Sequence, residues 1–132
     1  MAQANVLNNL AELYRAQGGY TEAEPLFKHS LKIDEKALGP DHPRLATTLN
    51  NLALLYADQG SYVAAQVLFK RSLAIREKAL GPEHPHTQTT WEALRRHEQD
   101  FAQNQEEQGR KQEEEGEETI GQRLAKRRRA SG

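Results

Sequence analysis

The sequence predicts an all-α solenoid, made of two antiparallel helix hairpins, a degenerate capping helix and a disordered C-terminal tail. The chain nearly repeats itself after 42 residues, and 24 of 36 positions are identical between residues 8–43 and 50–85. Apolar residues fall at helical spacing inside each repeat, and they become scarce from Glu106 onward. A unit of this length cannot bury its own apolar face, so it must stack on a neighbour.

The first repeat, about residues 1–43, is predicted to form two helices. Apolar residues at i, i+3, i+4 and i+7 indicate one buried face on the first helix, Ala2–Gln17; they are Leu7, Leu10, Ala11 and Tyr14. Gly18-Gly19 breaks this helix, because glycine reaches positive φ at little steric cost. The second helix is predicted over Thr21–Leu38, and Gly39–Pro43 closes the repeat, because proline cannot continue a helix.

The second repeat, about residues 44–85, follows the same plan, with helices predicted at Arg44–Gln59 and Val63–Leu80 and a break at Gly60-Ser61. Short connections between such helices favour antiparallel neighbours.

A third unit begins and then loses its pattern. Trp91 and Leu94 align with apolar positions of the second repeat, so we expect them to cover its edge. Arg95–Glu98 then replace Ala53–Tyr56, which makes the outer face polar, as the end of a solenoid requires. We expect a capping helix over about His86–Gln105, and therefore a folded domain of residues 1–105.

Residues 106–132 differ in composition from the rest of the chain. Acidic residues come first, and a basic run, Lys126-Arg127-Arg128-Arg129, comes near the end. Too few apolar residues are present to offset the entropy of ordering, so a disordered or transiently helical tail is expected.

The composition excludes several classes of function. A net charge of −1 gives no overall field to attract nucleic acid, and the absence of cysteine excludes disulfides, thiolate catalysis and cysteine zinc sites. No apolar run reaches the roughly 18–20 residues that span a bilayer, and the first residues lack the features of a secretory signal. We expect a cytoplasmic protein without a membrane partner; nuclear import through the basic run is the alternative.

Histidines near the repeat ends could suggest a metal site, but capping is the favoured interpretation. His42 and His84 occupy equivalent loops, and His86 has no carboxylate or cysteine at ligand spacing. No Ser-His-Asp order, phosphate-binding glycine loop or HExxH motif occurs in the sequence. We expect no enzymatic activity and no cofactor.

The repeat resembles the tetratricopeptide repeat, and its 42-residue spacing is similar to the kinesin light chain subtype. The consensus positions hold Leu7, Leu10, Ala11, Tyr14, Gly18, Tyr20, Ala23 and Phe27, and then Leu49, Leu52, Ala53, Tyr56, Gly60, Tyr62, Ala65 and Phe69. The resemblance implies a scaffold that binds a protein or peptide, and it does not identify the partner.

The resemblance also implies that the first helix of each repeat lines a curved groove. Helical geometry then assigns the groove-facing positions. They are Asn5, Asn8, Asn9, Glu12 and Arg15; Thr47, Asn50, Asn51, Leu54 and Asp58; and Thr89, Glu92, Arg96 and Asp100. The predicted binding residues among them are Asn8, Asn9, Glu12, Asn50, Asn51, Leu54 and Arg96.

Two adjacent asparagines in mid-helix need an explanation, because asparagine is a mediocre helix former. One interpretation is that their amides bind the backbone of an extended peptide. The alternative is that they link neighbouring helices or belong to the repeat template. A clamp for a peptide C-terminus is set aside, because only Asn51 matches its pattern and Glu12 would repel the carboxylate.

Three further hypotheses remain open. The basic run could contact nucleic acid or serve nuclear import, although a solubilising tail end is favoured. The chain could be a fragment of a longer repeat array, since solenoids need about three repeats for stability. It could also self-associate through the open edge of the first helix.

Overall fold

The computed structural model describes residues 2–131, and it contains five α-helices. They are α1 (Ala2–Ala16), α2 (Tyr20–Leu38), α3 (Pro43–Asp58), α4 (Tyr62–Leu80) and α5 (Pro85–Ser131). The first four begin and end within one residue of the predicted bounds. The predicted all-α solenoid of helix hairpins is confirmed.

Each hairpin contains an equivalent buried hydrogen bond that joins its two helices. Ser30 Oγ donates to the backbone oxygen of Ala4 at 2.8 Å, and Ser72 Oγ donates to that of Ala46 at 2.7 Å. These residues stand 42 positions apart in the two repeats, so the sequence repeat is also a repeat of geometry.

The two hairpins stack because α2 packs against both α1 and α3. One buried cluster joins Ala11, Phe27 and Leu52, which come from α1, α2 and α3 respectively. Burial of an aromatic or aliphatic side chain is worth about 1.5–3 kcal/mol, so such a cluster is what fixes one repeat on the next.

The breaks between paired helices depend on backbone conformation. Gly18 and Gly60 both have φ of +79°, and a Cβ at either position would meet no atom within 4 Å. The positive φ, rather than a lack of space, is therefore what favours glycine at these turns.

Burial along α1 corrects one prediction. Ala11 is completely buried, but Leu10, which the sequence places on the buried face, is 39% exposed. Val6 and Leu13 are also exposed, at 64% and 54%. No described helix covers this side of α1, so the consensus position of Leu10 is occupied but not buried.

The cap also differs from its prediction at two residues. Leu94 is buried as expected, whereas Trp91 is 50% exposed, with the Arg95 guanidinium 5.6 Å from its ring centroid. His97, expected on a polar outer face, is 4% exposed. Its Nε2 lies 2.8 Å from the backbone oxygen of Tyr62, and its ring contacts the ring of Phe69.

The C-terminal segment is helical where the sequence predicts a disordered or transiently helical tail. Helix α5 continues through the predicted end at Gln105 to Ser131. Glu, Gln, Lys and Arg are good helix formers, and Arg128 and Arg129 in the last turn suit the helix dipole. Side chains beyond residue 105 are nearly all exposed, so propensity, and not a packed core, accounts for this helix.

Contacts between residues divide the described chain into two compact parts, residues 2–98 and 99–131. The predicted domain boundary after Gln105 stays a prediction. Within residues 2–131, no helix contains an apolar stretch of the length that a bilayer requires.

Candidate functional site

The predicted groove residues lie on α1, α3 and α5. Asn8 and Asn50 are equivalent in the two repeats, and both side chains are half-buried. The Oδ1 atom of each is buried and accepts no hydrogen bond from any described residue. A buried acceptor without a donor costs about 1–3 kcal/mol, so two equivalent ones in one surface need an explanation.

The other predicted binding residues have different surroundings. Asn9 and Arg96 are exposed, and Asn51 is half-buried. Leu54 is half-buried and packs against the cluster that contains Phe69.

Glu12 is already engaged by a neighbouring cation. Arg15 Nε donates to Glu12 at 3.2 Å, and Arg15 Nη1 reaches Asp58 Oδ2 on α3 at 3.0 Å. These hydrogen bonds, chiefly the one to Glu12, raise the pKa of Arg15. The pair of contacts connects α1 to α3 across the predicted groove.

Two polar contacts join the repeats away from this surface. Tyr56 Oη donates to Glu24 on α2 at 2.9 Å, and Arg71 Nη2 donates to Glu35 at 2.6 Å. Lys28 Nζ is 2.9 Å from Glu24. The hydrogen bond from Lys28 is the largest cause that lowers the pKa of Glu24, and the hydrogen bond from Tyr56 is the second.

A small cavity beside Asn8 contains an acidic residue that sequence reasoning missed. Its volume is about 140 Å³, and its walls include Asn5, Asn8, Asp34 and Arg44. Asp34 is only 2% exposed, and its Oδ1 has no hydrogen-bond partner in residues 2–131. Arg44 Nε lies 3.8 Å from Asp34 Oδ2, which is an ion pair but too long for a hydrogen bond.

The equivalent position in the second repeat holds the opposite charge. Arg76 Nη2 donates to Thr47 Oγ1 at 3.1 Å, and Arg76 Nη1 donates to Thr90 Oγ1 and, at 3.3 Å, to the backbone oxygen of His86. Burial lowers the pKa of Arg76. Among the described side chains, no carboxylate lies within ion-pair distance of it. The sequence already contained a signal for this difference, because position 34 is acidic and position 76 is basic in otherwise similar repeats.

Two of the histidines, His42 and His84, act as helix caps. His42 Nδ1 accepts from the backbone N–H of Arg44 at 3.1 Å, and His84 Nδ1 accepts from that of His86 at the same distance. The rings of His84 and His86 stack, with centroids 5.1 Å apart. Within the described part of the chain, no group of three or more His, Cys, Asp or Glu side chains could hold a metal ion.

The basic run lies near the end of α5. Lys126, Arg127, Arg128 and Arg129 are helical and exposed. Arg127 also lines a surface cavity with Ile120 and Leu124 on the same helix.

Comparison with known proteins identifies the family. The profile of the tetratricopeptide repeat matches residues 2–78 and, in a second alignment, residues 46–115. The chain belongs to the tetratricopeptide repeat family. Repeats of this family generally form non-enzymatic scaffolds for protein–protein interaction. No curated protein matches this sequence significantly.

Solved structures show the subtype. The chain is similar to the kinesin light chain TPR-like repeats of Podosopora anserina, with 30% identity and a TM-score of 0.67 over 77% of this chain and 48% of that one. It is also similar to BtubC (BKLC) from P. vanneervenii, with 29% identity and a TM-score of 0.66 over 75% and 41%. This chain is therefore a tetratricopeptide repeat protein of the kinesin light chain-like type that spans less than half the length of these structures.

Proposed function

We propose that this tetratricopeptide repeat chain binds an extended segment of a partner protein along the surface formed by α1 and α3. The two equivalent buried amide oxygens, Asn8 Oδ1 and Asn50 Oδ1, carry the proposal. Backbone N–H groups of an extended segment are the donors that these oxygens lack.

The asparagine side chains can reach a bound segment. Each is partly exposed, so rotation about its χ2 torsion turns the oxygen outward. Asn51 adds a half-buried amide next to Asn50, and Asn9 adds an exposed one next to Asn8. Because the asparagine pair occurs in both hairpins, the surface suits a ligand with a repeating backbone better than a compact small molecule.

The test is capture of partners by the full chain and by the double variant Asn50→Ala plus Asn51→Ala. The partners retained by the wild type are identified by mass spectrometry, and then each is titrated against both proteins. We expect a loss of affinity of roughly 5- to 150-fold, because two hydrogen bonds worth about 0.5–1.5 kcal/mol each are removed.

The matched control is His29→Ala plus Lys32→Ala, which truncates two exposed side chains of α2. It should retain every partner, and circular dichroism should show equal helix content in all three proteins. Equal affinities for the wild type and the Asn50, Asn51 variant would reject the proposed groove.

We also propose that the exposed face of α1 mediates association with another repeat, either in a second copy or in a longer array. Val6, Leu10 and Leu13 lie on this face at i, i+4 and i+7. In the second repeat the same face is buried, with Leu52 3% exposed and Leu55 fully buried. The two leucines of this face that belong to the core in the second repeat are therefore also present in the first repeat, where they are exposed.

Multi-angle light scattering tests the second-copy form of this association. The wild type should show a mass above 14.9 kDa that rises with concentration. Leu10→Gln plus Leu13→Gln should restore the monomer mass, whereas Val63→Gln plus Val67→Gln, on the exposed side of α4, should not. A wild type that is monomeric at high concentration contradicts this form of the proposal.

A further inference from the structure

We infer that the cavity beside Asp34 is a subsite for the guanidinium group of an arginine side chain in the bound partner segment. The inference rests on the proposed function, because the arginine belongs to that segment. It goes further by naming the residue type that the first repeat selects.

The second repeat supplies the template. There, the Arg76 guanidinium bonds to Thr47, Thr90 and the backbone of His86. A shift of 42 positions converts these three residues into Asn5, Thr48 and Arg44, and all three line the cavity of the first repeat. Equivalent residues therefore bind a guanidinium in the second repeat and line a cavity of about 140 Å³ in the first repeat.

The side chain at the Arg76 position explains the difference. In the first repeat it is Asp34, which is shorter and acidic. The substitution leaves a space that a guanidinium would otherwise fill, and it places a carboxylate that is 2% exposed at its wall. A guanidinium from another molecule complements both the volume and the charge.

Two residues that line the cavity each carry a buried acceptor without a donor. The acceptors are Asp34 Oδ1 and Asn8 Oδ1, and neither has a hydrogen-bond partner among the described residues. A guanidinium presents five N–H donors in one plane, so it can satisfy both oxygens together. An ammonium group concentrates its charge at one atom and matches two separated acceptors less well.

Arg44 does not already fulfil this role. Its Nε is 3.8 Å from Asp34 Oδ2, and its Nη2 donates to Asn5 Oδ1 instead. Neither contact occupies Asp34 Oδ1, which has no hydrogen-bond partner among the described residues. Arg44 lowers the local negative charge, so we expect the isolated head group to bind with millimolar affinity.

The experiment titrates the full chain with N-acetyl-arginine N-methylamide and follows the side-chain amide signals by ¹H–¹⁵N NMR. The matched probe is the citrulline derivative, which has nearly the same shape but no charge. We expect a saturable shift of the Asn8 amide, a dissociation constant at least tenfold lower for arginine, and no saturable shift of the Asn50 amide.

Two variants locate the effect. Asp34→Asn keeps the shape and removes the charge, and Asp34→Arg fills the space as Arg76 does in the second repeat. Both should lose the saturable shift while thermal melts show folded protein. If either variant fails to fold, the comparison of arginine with citrulline on the wild type still decides the question.

Three results would overturn the inference: equal affinities for the two probes, an unchanged shift in Asp34→Asn, or no saturable shift at all, which means that the cavity holds only water. The probe needs no partner protein. Its failure would therefore leave the Asn50 and Asn51 capture result standing, and a failed capture result would leave the subsite standing.

Discussion

The two repeats share most of their residues but bury them differently. Leu10 and Leu52 occupy the same repeat position, yet Leu10 is 39% exposed and Leu52 is 3% exposed. Leu13 and Leu55 differ more, at 54% and 0%. Helix α3 has α2 on one side and α4 on the other, whereas α1 is contacted mainly by α2. Position along the stack, rather than residue type, sets how much each repeated side chain contributes to stability.

The largest expected effect comes from truncating the same leucine in each repeat. Leu52→Ala should lower the free energy of unfolding by about 2–5 kcal/mol, because a buried leucine leaves a cavity. At protein concentrations low enough to keep the chain monomeric, Leu10→Ala should cost less than about 1 kcal/mol, since much of its side chain is then in water. Urea unfolding followed by circular dichroism measures both. Similar losses for the two variants would mean that α1 is covered in solution.

The second prediction concerns contacts that lie inside one hairpin. Ser30→Ala and Ser72→Ala each remove one buried hydrogen bond, so both should cost about 0.5–1.5 kcal/mol. The two values should agree, because neither bond depends on a neighbouring repeat. A much larger loss for Ser72→Ala would show that the neighbouring repeats also stabilise the interior of the second hairpin.

The smallest expected effect lies at the contact between the repeats. Lys28 and Tyr56 lower the pKa of Glu24 from its ordinary value of 4.5. The carboxylate therefore stabilises the folded state above pH 4.5, and this contribution is lost as the pH falls through the lowered pKa.

Glu24→Gln tests this dependence, because the second repeat has Gln66 at the same position. At neutral pH the variant should be less stable by a few tenths of a kcal/mol, as expected of a partly exposed pair. The difference from the wild type should shrink in melts at about pH 3. A difference that grows on acidification would contradict the assignment.

Much of the fold could be predicted from local sequence signals. Glycine breaks, closing prolines and helical spacing located the first four helices to within one residue. The asparagine pairs also pointed to the candidate surface, although the structure was needed to show that Asn8 Oδ1 and Asn50 Oδ1 lack donors. The predicted binding role of these residues stays a prediction.

Some features of the structure could not be predicted from the sequence, for physical reasons. Trp91 was assigned to a buried position by alignment, but no further helix in the described chain covers its ring. His97 was assigned to a polar surface, but it is buried because its ring packs on Phe69 and its Nε2 contacts the Tyr62 backbone. Charged residues beyond Gln105 indicated the absence of a core, and they did not exclude a helix.

The sequence by itself determined the helices, their turns and the repetition of the hairpin, because backbone propensity and φ preferences act within a few residues. Only the tertiary structure decided which copy of each repeated residue is buried. It also decided that Asp34 lies beside a cavity while Arg76 fills the equivalent space. Burial and pairing depend on what a neighbouring helix places opposite a side chain, and identical residues in the two repeats face different neighbours.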